Sequence, residues 1–144
     1  NADHSLKGSD AYETLTAWHH LILNRVPLPQ FSWSHPSAGA VSLHLTDKPR
    51  KVRLWQATNP KARDFRLETL GAKWKSTDLT PDANGNITAS VTAPDAGYTA
   101  YMVECTYDVG ALVPLKVTTD VRVVPDTYPF PAPPKSRKKG FLSQ

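Results

Sequence analysis

The chain has 144 residues, 21% of them charged, with thirteen prolines and a single cysteine. That length suits one domain plus an appendage rather than a complete enzyme of the large α/β architectures. Cys105, being alone, excludes an internal disulfide and a thiolate zinc cluster. The formal charge of +4 is confined to one end: without Lys135, Arg137, Lys138 and Lys139, the remaining thirteen basic groups equal the thirteen acidic ones. No folded surface then carries the basic excess that specific nucleic-acid binding needs. No stretch reaches the roughly 18 to 20 apolar residues that span a bilayer. Because the sequence opens on Asn1 instead of Met, a fragment or a processed product is expected.

The first element is helical. Leu15, Trp18, Ile22 and Val26 recur at spacings of three and four, which puts one apolar stripe on one face. Asp10 followed by Glu13 resembles a capping box, and Pro27 blocks continuation, so the helix is placed near residues 9–25. A lone helix of that length is marginal in water. Its stripe needs a partner surface, and Leu15, Trp18 and Ile22 are expected to stay poorly covered by this chain.

From about Gln30 the period changes to two. Val41, Leu43 and Leu45 alternate with polar residues, as do Val52 and Leu54, and then Ile87, Ala89 and Val91. Tyr98 to Tyr107 sets Tyr101, Val103 and Cys105 on one face and Ala100, Met102 and Glu104 on the other. Leu115 to Val124 repeats the pattern, and both read as central strands. Turn signals separate them: Asp47 to Pro49, Asn59-Pro60, Asn84-Gly85 as a hairpin turn, Pro94 to Gly97, and Gly110 to Pro114. About seven such strands predict a mainly β chain, an antiparallel sandwich of immunoglobulin or fibronectin type III character over residues 29–126. Tyr98 or Tyr101 stands where a tyrosine corner would be. Residues 127–144, rich in proline and then in basic groups, are expected to be a solvated, disordered tail.

The histidines do not predict a metal site. His19 and His20 are adjacent on the helix, about 100° apart, and cannot chelate one ion as an i, i+4 pair would. His35 and His44 have no carboxylate at ligand spacing. Asp82, Asn84 and Asn86 imitate the opening of a calcium loop, but Ile87 stands where glycine is needed and Ala93 where a bidentate glutamate belongs. No cofactor motif is present. His4 is distinct, because Asn1 to Leu6 is a short polar loop immediately ahead of the helix, the setting in which hydrolases present a general base. Read without further context, it is an ordinary surface histidine.

Several blocks in order, namely Asn1-Ala2-Asp3-His4-Ser5-Leu6, Phe31-Ser32-Trp33, Val52 to Pro60, Ala62 to Arg66, Gly97 to Tyr101 and Thr118 to Pro125, resemble the C-terminal third of the PhoPQ-activated pathogenicity-related family. The resemblance runs from Asn1 to about Pro131. It implies an α/β-hydrolase-like, exported bacterial protein linked to virulence and to resistance against antimicrobial peptides, secreted or periplasmic, with a C-terminal β-sandwich. It carries His4 onto the histidine of a serine hydrolase triad, and residues 1–28 onto the loop and helix that close a hydrolase domain absent from this chain. That upstream domain is the implied partner, and a protein or peptide the implied substrate. The nucleophile and the acid would both lie ahead of Asn1, and no Gly-x-Ser-x-Gly is present, so this polypeptide by itself is not a competent hydrolase.

Two further clusters predict recognition. Arg63, Asp64 and Arg66, after Trp55, could hold an acidic or polar ligand, since guanidinium forks bind carboxylate or phosphate in pairs. The structural reading of the same residues is an Arg63 to Asp64 pair with Phe65 plugging the core. Trp18, Trp33, Trp55 and Trp74 could form a carbohydrate platform, or Trp33 and Trp55 could fill the seam between helix and sandwich. The alternative to a hydrolase fragment is therefore a non-enzymatic β-sandwich module that binds a protein, peptide or glycan.

Overall fold

In the computed structural model, which describes residues 5–131, the two periods of the sequence become a helix and two antiparallel sheets. Helix α1 (Ala11–Asn24) is followed by β1 (Phe31–Ser34), β2 (Ala40–Leu45) and β3 (Lys51–Asn59). A four-residue helix α2 (Leu67–Leu70) leads to β4 (Lys75–Leu79), β5 (Asn86–Ser90), β6 (Tyr98–Tyr107), β7 (Leu115–Thr118) and β8 (Arg122–Val124). The first sheet has the order β1-β2-β5; the second has β4-β3-β6-β7, with β8 also pairing β6. His4 and residues 132–144, which include the basic part of the tail, lie outside the described residues.

The alternation seen in the sequence is what joins the sheets. Val41, Leu43 and Leu45 of β2 and Ile87 and Ala89 of β5 share one buried cluster with Val52 and Leu54 of β3 and Tyr101, Val103 and Cys105 of β6. Period two sends these side chains inward from both layers and turns the residues between them to the outer faces. Each fully buried large aliphatic side chain contributes about 1.5 to 3 kcal/mol, so this cluster holds the fold. Burial also pushes the Cys105 thiol up to about 11, which keeps it protonated and unreactive at neutral pH. The Tyr101 hydroxyl is held by the backbone of Gly39, in the loop before β2. It therefore ties one layer to the other, whereas the expected tyrosine corner would have bonded its own neighbourhood.

Two sequence expectations are corrected here. Leu115 to Val124 is not one central strand: it forms the edge of the second sheet and breaks into β7 and β8 around Thr119, Asp120 and Val121. The break is stitched by Thr119, whose Oγ1 accepts the Val103 amide at 3.1 Å while its own amide donates to the Val103 carbonyl at 2.9 Å. Val121 consequently turns outward. Asn84-Gly85 is not a hairpin turn either, because β4 and β5 belong to different sheets. It turns the chain from one layer to the other, with Asp82 Oδ1 accepting the amides of Asn84 and Asn86 at 2.8 Å each. Gly85 is required at φ 77°, since a Cβ there would come within 2.7 Å of the Leu45 carbonyl oxygen.

Helix α1 ends at Asn24, with Arg25 in the left-handed conformation before Pro27. The expected capping box does not form: the Asp10 side chain makes no cap bond to the helix amides among the described residues. Asp10 instead accepts from Lys116 Nζ at 2.5 Å, and Glu13 lies 3.5 Å from the same ammonium. The helix packs against β7 through Ala17 and Leu21, which meet Leu115 and, around it, Val109, Ala111 and Val113. This covers the β7 edge of the second sheet. Leu15, Trp18 and Ile22 remain exposed as expected, with Leu15 at 62% and Ile22 at 61% of full exposure.

Candidate functional site

The outer face of the second sheet carries the residues that the inward cluster leaves out. Trp55 stands between the inward Leu54 and the next turn of the pleat, Met102 is its direct cross-strand partner, and Glu104 follows two residues along β6. Helix α1 rises on one side of this floor, presenting Leu15 and Trp18, and the segment before β4 rises on the other, presenting Phe65 and Trp74. Between them runs an apolar groove of about 1080 Å³, whose lining also includes Asp10 and Lys116. Phe65 and Trp74 lean together with ring centroids 6.4 Å apart.

The charges of the groove are mostly matched. Lys116 holds the Asp10 carboxyl below its ordinary range, chiefly through their hydrogen bond, and is itself raised by it. Arg66 forks onto Asp64, with Nε to Oδ1 at 3.0 Å and Nη2 to Oδ2 at 2.7 Å, and also reaches Glu68 at 3.1 Å. Those bonds hold the Asp64 carboxyl well below the usual carboxylate range. Glu104 differs: it is 9% exposed, and its Oε1 has no hydrogen-bond partner among the described residues. The Trp55 Nε1 is in the same condition.

The four residues singled out after His4 are thus divided. Trp55 and Arg66 line the groove, whereas Asp64 is occupied by Arg66 and by Thr69 Oγ1 at 2.9 Å. Arg63 faces elsewhere, its guanidinium 4.3 Å from the Tyr128 ring centroid and 3.7 Å from Asp126. The Arg63 to Asp64 pair does not form, and Phe65 is a groove wall rather than a core plug. Three of the four tryptophans gather in the groove, but Trp33 stands apart, stacked on Phe31 at 5.4 Å. There its Nε1 donates to Asp120 Oδ1 at 2.7 Å, and His35 Nε2 reaches the same oxygen at 2.8 Å. Burial raises the Asp120 pKa, but these bonds outweigh it and the carboxyl stays below its ordinary range. His35 Nδ1 lies 3.1 Å from the Ala40 carbonyl, so both ring nitrogens are engaged and neither is free for general-base work. Among the described residues no three histidine, cysteine or carboxylate side chains gather to hold a metal ion, and no helix is long and apolar enough to cross a membrane.

Sequence reasoning did not find Glu104, Met102, Phe65 and Lys116 as members of one site. The available signal was a charged residue on the outward face of an otherwise apolar strand.

The fold and the groove define a two-sheet β module with a helix laid on one sheet edge. Residues 1–66 match the PhoPQ-activated pathogenicity-related protein family. The chain is also 29% identical, over 155 aligned positions, to autocrine proliferation repressor protein A of Dictyostelium discoideum, with 90% of this chain covered. It spans 31% of that relative's length. No solved structure matches the chain.

Proposed function

We propose that this chain is the C-terminal part of a longer, exported α/β-hydrolase-like protein associated with virulence. In this reading residues 1–28 close the hydrolase domain, residues 29–126 form an accessory sandwich of fibronectin type III character, and residues 127–144 are a tail. His4 would be the general base toward an upstream serine, and the substrate a protein or peptide. The observation that carries the proposal is the outward stripe of α1: Leu15 and Ile22, two turns apart on one side, are each more than 60% exposed with the exposed Trp18 between them, on a helix already docked through Ala17 and Leu21. A monomer rarely leaves a contiguous apolar face of this kind on its surface. The greater length of the Dictyostelium relative and the match to residues 1–66 support it. The strand orders β1-β2-β5 and β4-β3-β6-β7 support the fibronectin-like reading of the sandwich.

The test compares the 144-residue chain with the longer protein. An apolar dye should bind the short chain strongly and the long one weakly, because the face of α1 is then covered. Equal binding by the two would remove the basis of the proposal. For the chemistry, His4→Ala in the longer protein should slow ester or peptide hydrolysis by at least about a hundredfold. An unchanged rate would leave the docking argument standing and reject His4 as the base.

A further inference from the structure

Leu15 and Trp18 belong to two surfaces at once. With Ile22 they form the exposed stripe of α1, and with Trp55, Phe65 and Trp74 they line the groove. Residues three and seven apart lie on one side of a helix, so the stripe and this groove wall are parts of one surface. Val121, exposed at the break between β7 and β8, adds a further apolar side chain to the lining. A body that covers Leu15 and Trp18 therefore also stands over the groove, with Phe65 and Trp74 facing it from the other wall.

The chemistry of the lining selects what fills it. Asp10 is bound to Lys116, and Arg66 to Asp64 and Glu68. Glu104 stands directly across from Arg53 on β3 and also acts electrostatically on Lys116. The charges are thus answered within the chain, and what the groove offers is apolar and aromatic surface, which apolar side chains of further polypeptide cover favourably. Asp10, Ala11 and Thr14, at the start of α1, belong to the same lining. Polypeptide joined ahead of residue 1 is therefore delivered to the groove by a connection of about ten residues, at an effective concentration on the order of millimolar. The Dictyostelium relative has the length for it, since this chain spans 31% of that protein.

We propose that the groove is the second half of the docking surface, filled by apolar side chains of the polypeptide that precedes residue 1, so that the sandwich is fixed on that polypeptide instead of being tethered to it through α1 alone. The assignment rests on the docking of α1 proposed above and goes beyond it by bringing Trp55, Phe65, Trp74 and Met102, all of the sandwich, into the same interface. Because α1 is already packed on β7 through Ala17 and Leu21, the helix then serves as a shared element between two bodies that cannot turn against each other.

The tryptophans provide the readout without any substitution. The 144-residue chain and the longer protein are exposed briefly to hydroxyl radicals at equal concentration, and oxidation is measured by mass spectrometry on the peptides that carry Trp18, Trp33 and Trp74. Trp18 reports the helix, Trp74 the far wall of the groove, and Trp33, which stands apart on Phe31, is the internal control. In the longer protein Trp18 and Trp74 should both be oxidised at least about threefold more slowly than in the short chain, as expected for side chains in the packed centre of an interface, while Trp33 keeps its rate. Protection of Trp18 with Trp74 unchanged would overturn this proposal and leave the docking of α1 standing; no protection of either would remove both. Equal protection of Trp33 would also overturn it, because the effect would then not belong to the groove. Protection of Trp74 that appears in the short chain as its concentration rises would assign the groove to a second copy instead.

Discussion

The inner and outer faces of the second sheet are made from the same strands and have opposite fates. Inside, Leu54 and Val103 meet β2 and β5 and are covered on every side. Outside, Trp55, Met102 and Glu104 are only partly roofed, by a helix that anchors through Ala17 and Leu21 and leaves its own stripe in solvent. The inner face is complete within this chain and explains its fold. The outer face keeps large apolar side chains in solvent, and the proposed docking of further polypeptide rests on them.

Truncating the two faces should separate them most clearly. Leu54→Ala should cost about 2 to 5 kcal/mol, because the surrounding layers cannot collapse onto the cavity. Ile22→Ala should change stability by less than about 0.5 kcal/mol, as at other exposed positions. Urea unfolding of the two variants checks this, and similar losses would erase the distinction between faces. An intermediate effect is expected at Leu21, the one large side chain that α1 buries. Leu21→Ala should cost about 2 kcal/mol and release the helix from β7 with the sandwich intact, seen as faster hydrogen exchange in α1 and unchanged exchange in β6. Loss of protection in both would mean that the helix belongs to the core.

The smallest effect concerns the ion pair that fixes the start of the helix. The Asp10 pKa is lowered by Lys116, so its contribution is present above the unfolded value of about 3.9 and is lost as pH falls through the lower folded value. Lys116 is raised, so its share is present below about 10.4 and is lost as pH rises through the higher folded value. Both groups are partly exposed, which keeps the total under about 1 kcal/mol. Lys116→Met should remove this pH dependence from α1 exchange, and its persistence in the variant would exclude the pair as the cause.

The strands were legible in the sequence wherever burial alternates, as at Val41, Leu43 and Leu45, because a two-sided strand writes its geometry into its residue types. The helix was legible from Leu15, Trp18 and Ile22. The side by which it docks was not, since Ala17 and Leu21 give a weaker signal than the stripe left exposed. The break after Thr118 was hidden because Thr119 and Val121 continue the alternation through it. Asn84-Gly85 misled because the same dipeptide that closes a hairpin also turns a chain between layers. The groove was not legible at all: Leu15, Trp55, Phe65 and Glu104 meet only once the sheet has formed, and no local pattern joins them. His4, argued from its loop and a family resemblance, stands outside the described residues.

The account depends most on α1 being an interface with additional polypeptide. Cys105 is fully buried, so Ile22→Cys provides a single accessible thiol for maleimide labelling. In the 144-residue chain it should react at a rate close to that of a free thiol; in the longer protein it should react at least about tenfold more slowly, as expected for a thiol whose access is closed off. Equal rates in the two would contradict the account, because the face of the helix would then be open with or without the rest of the protein.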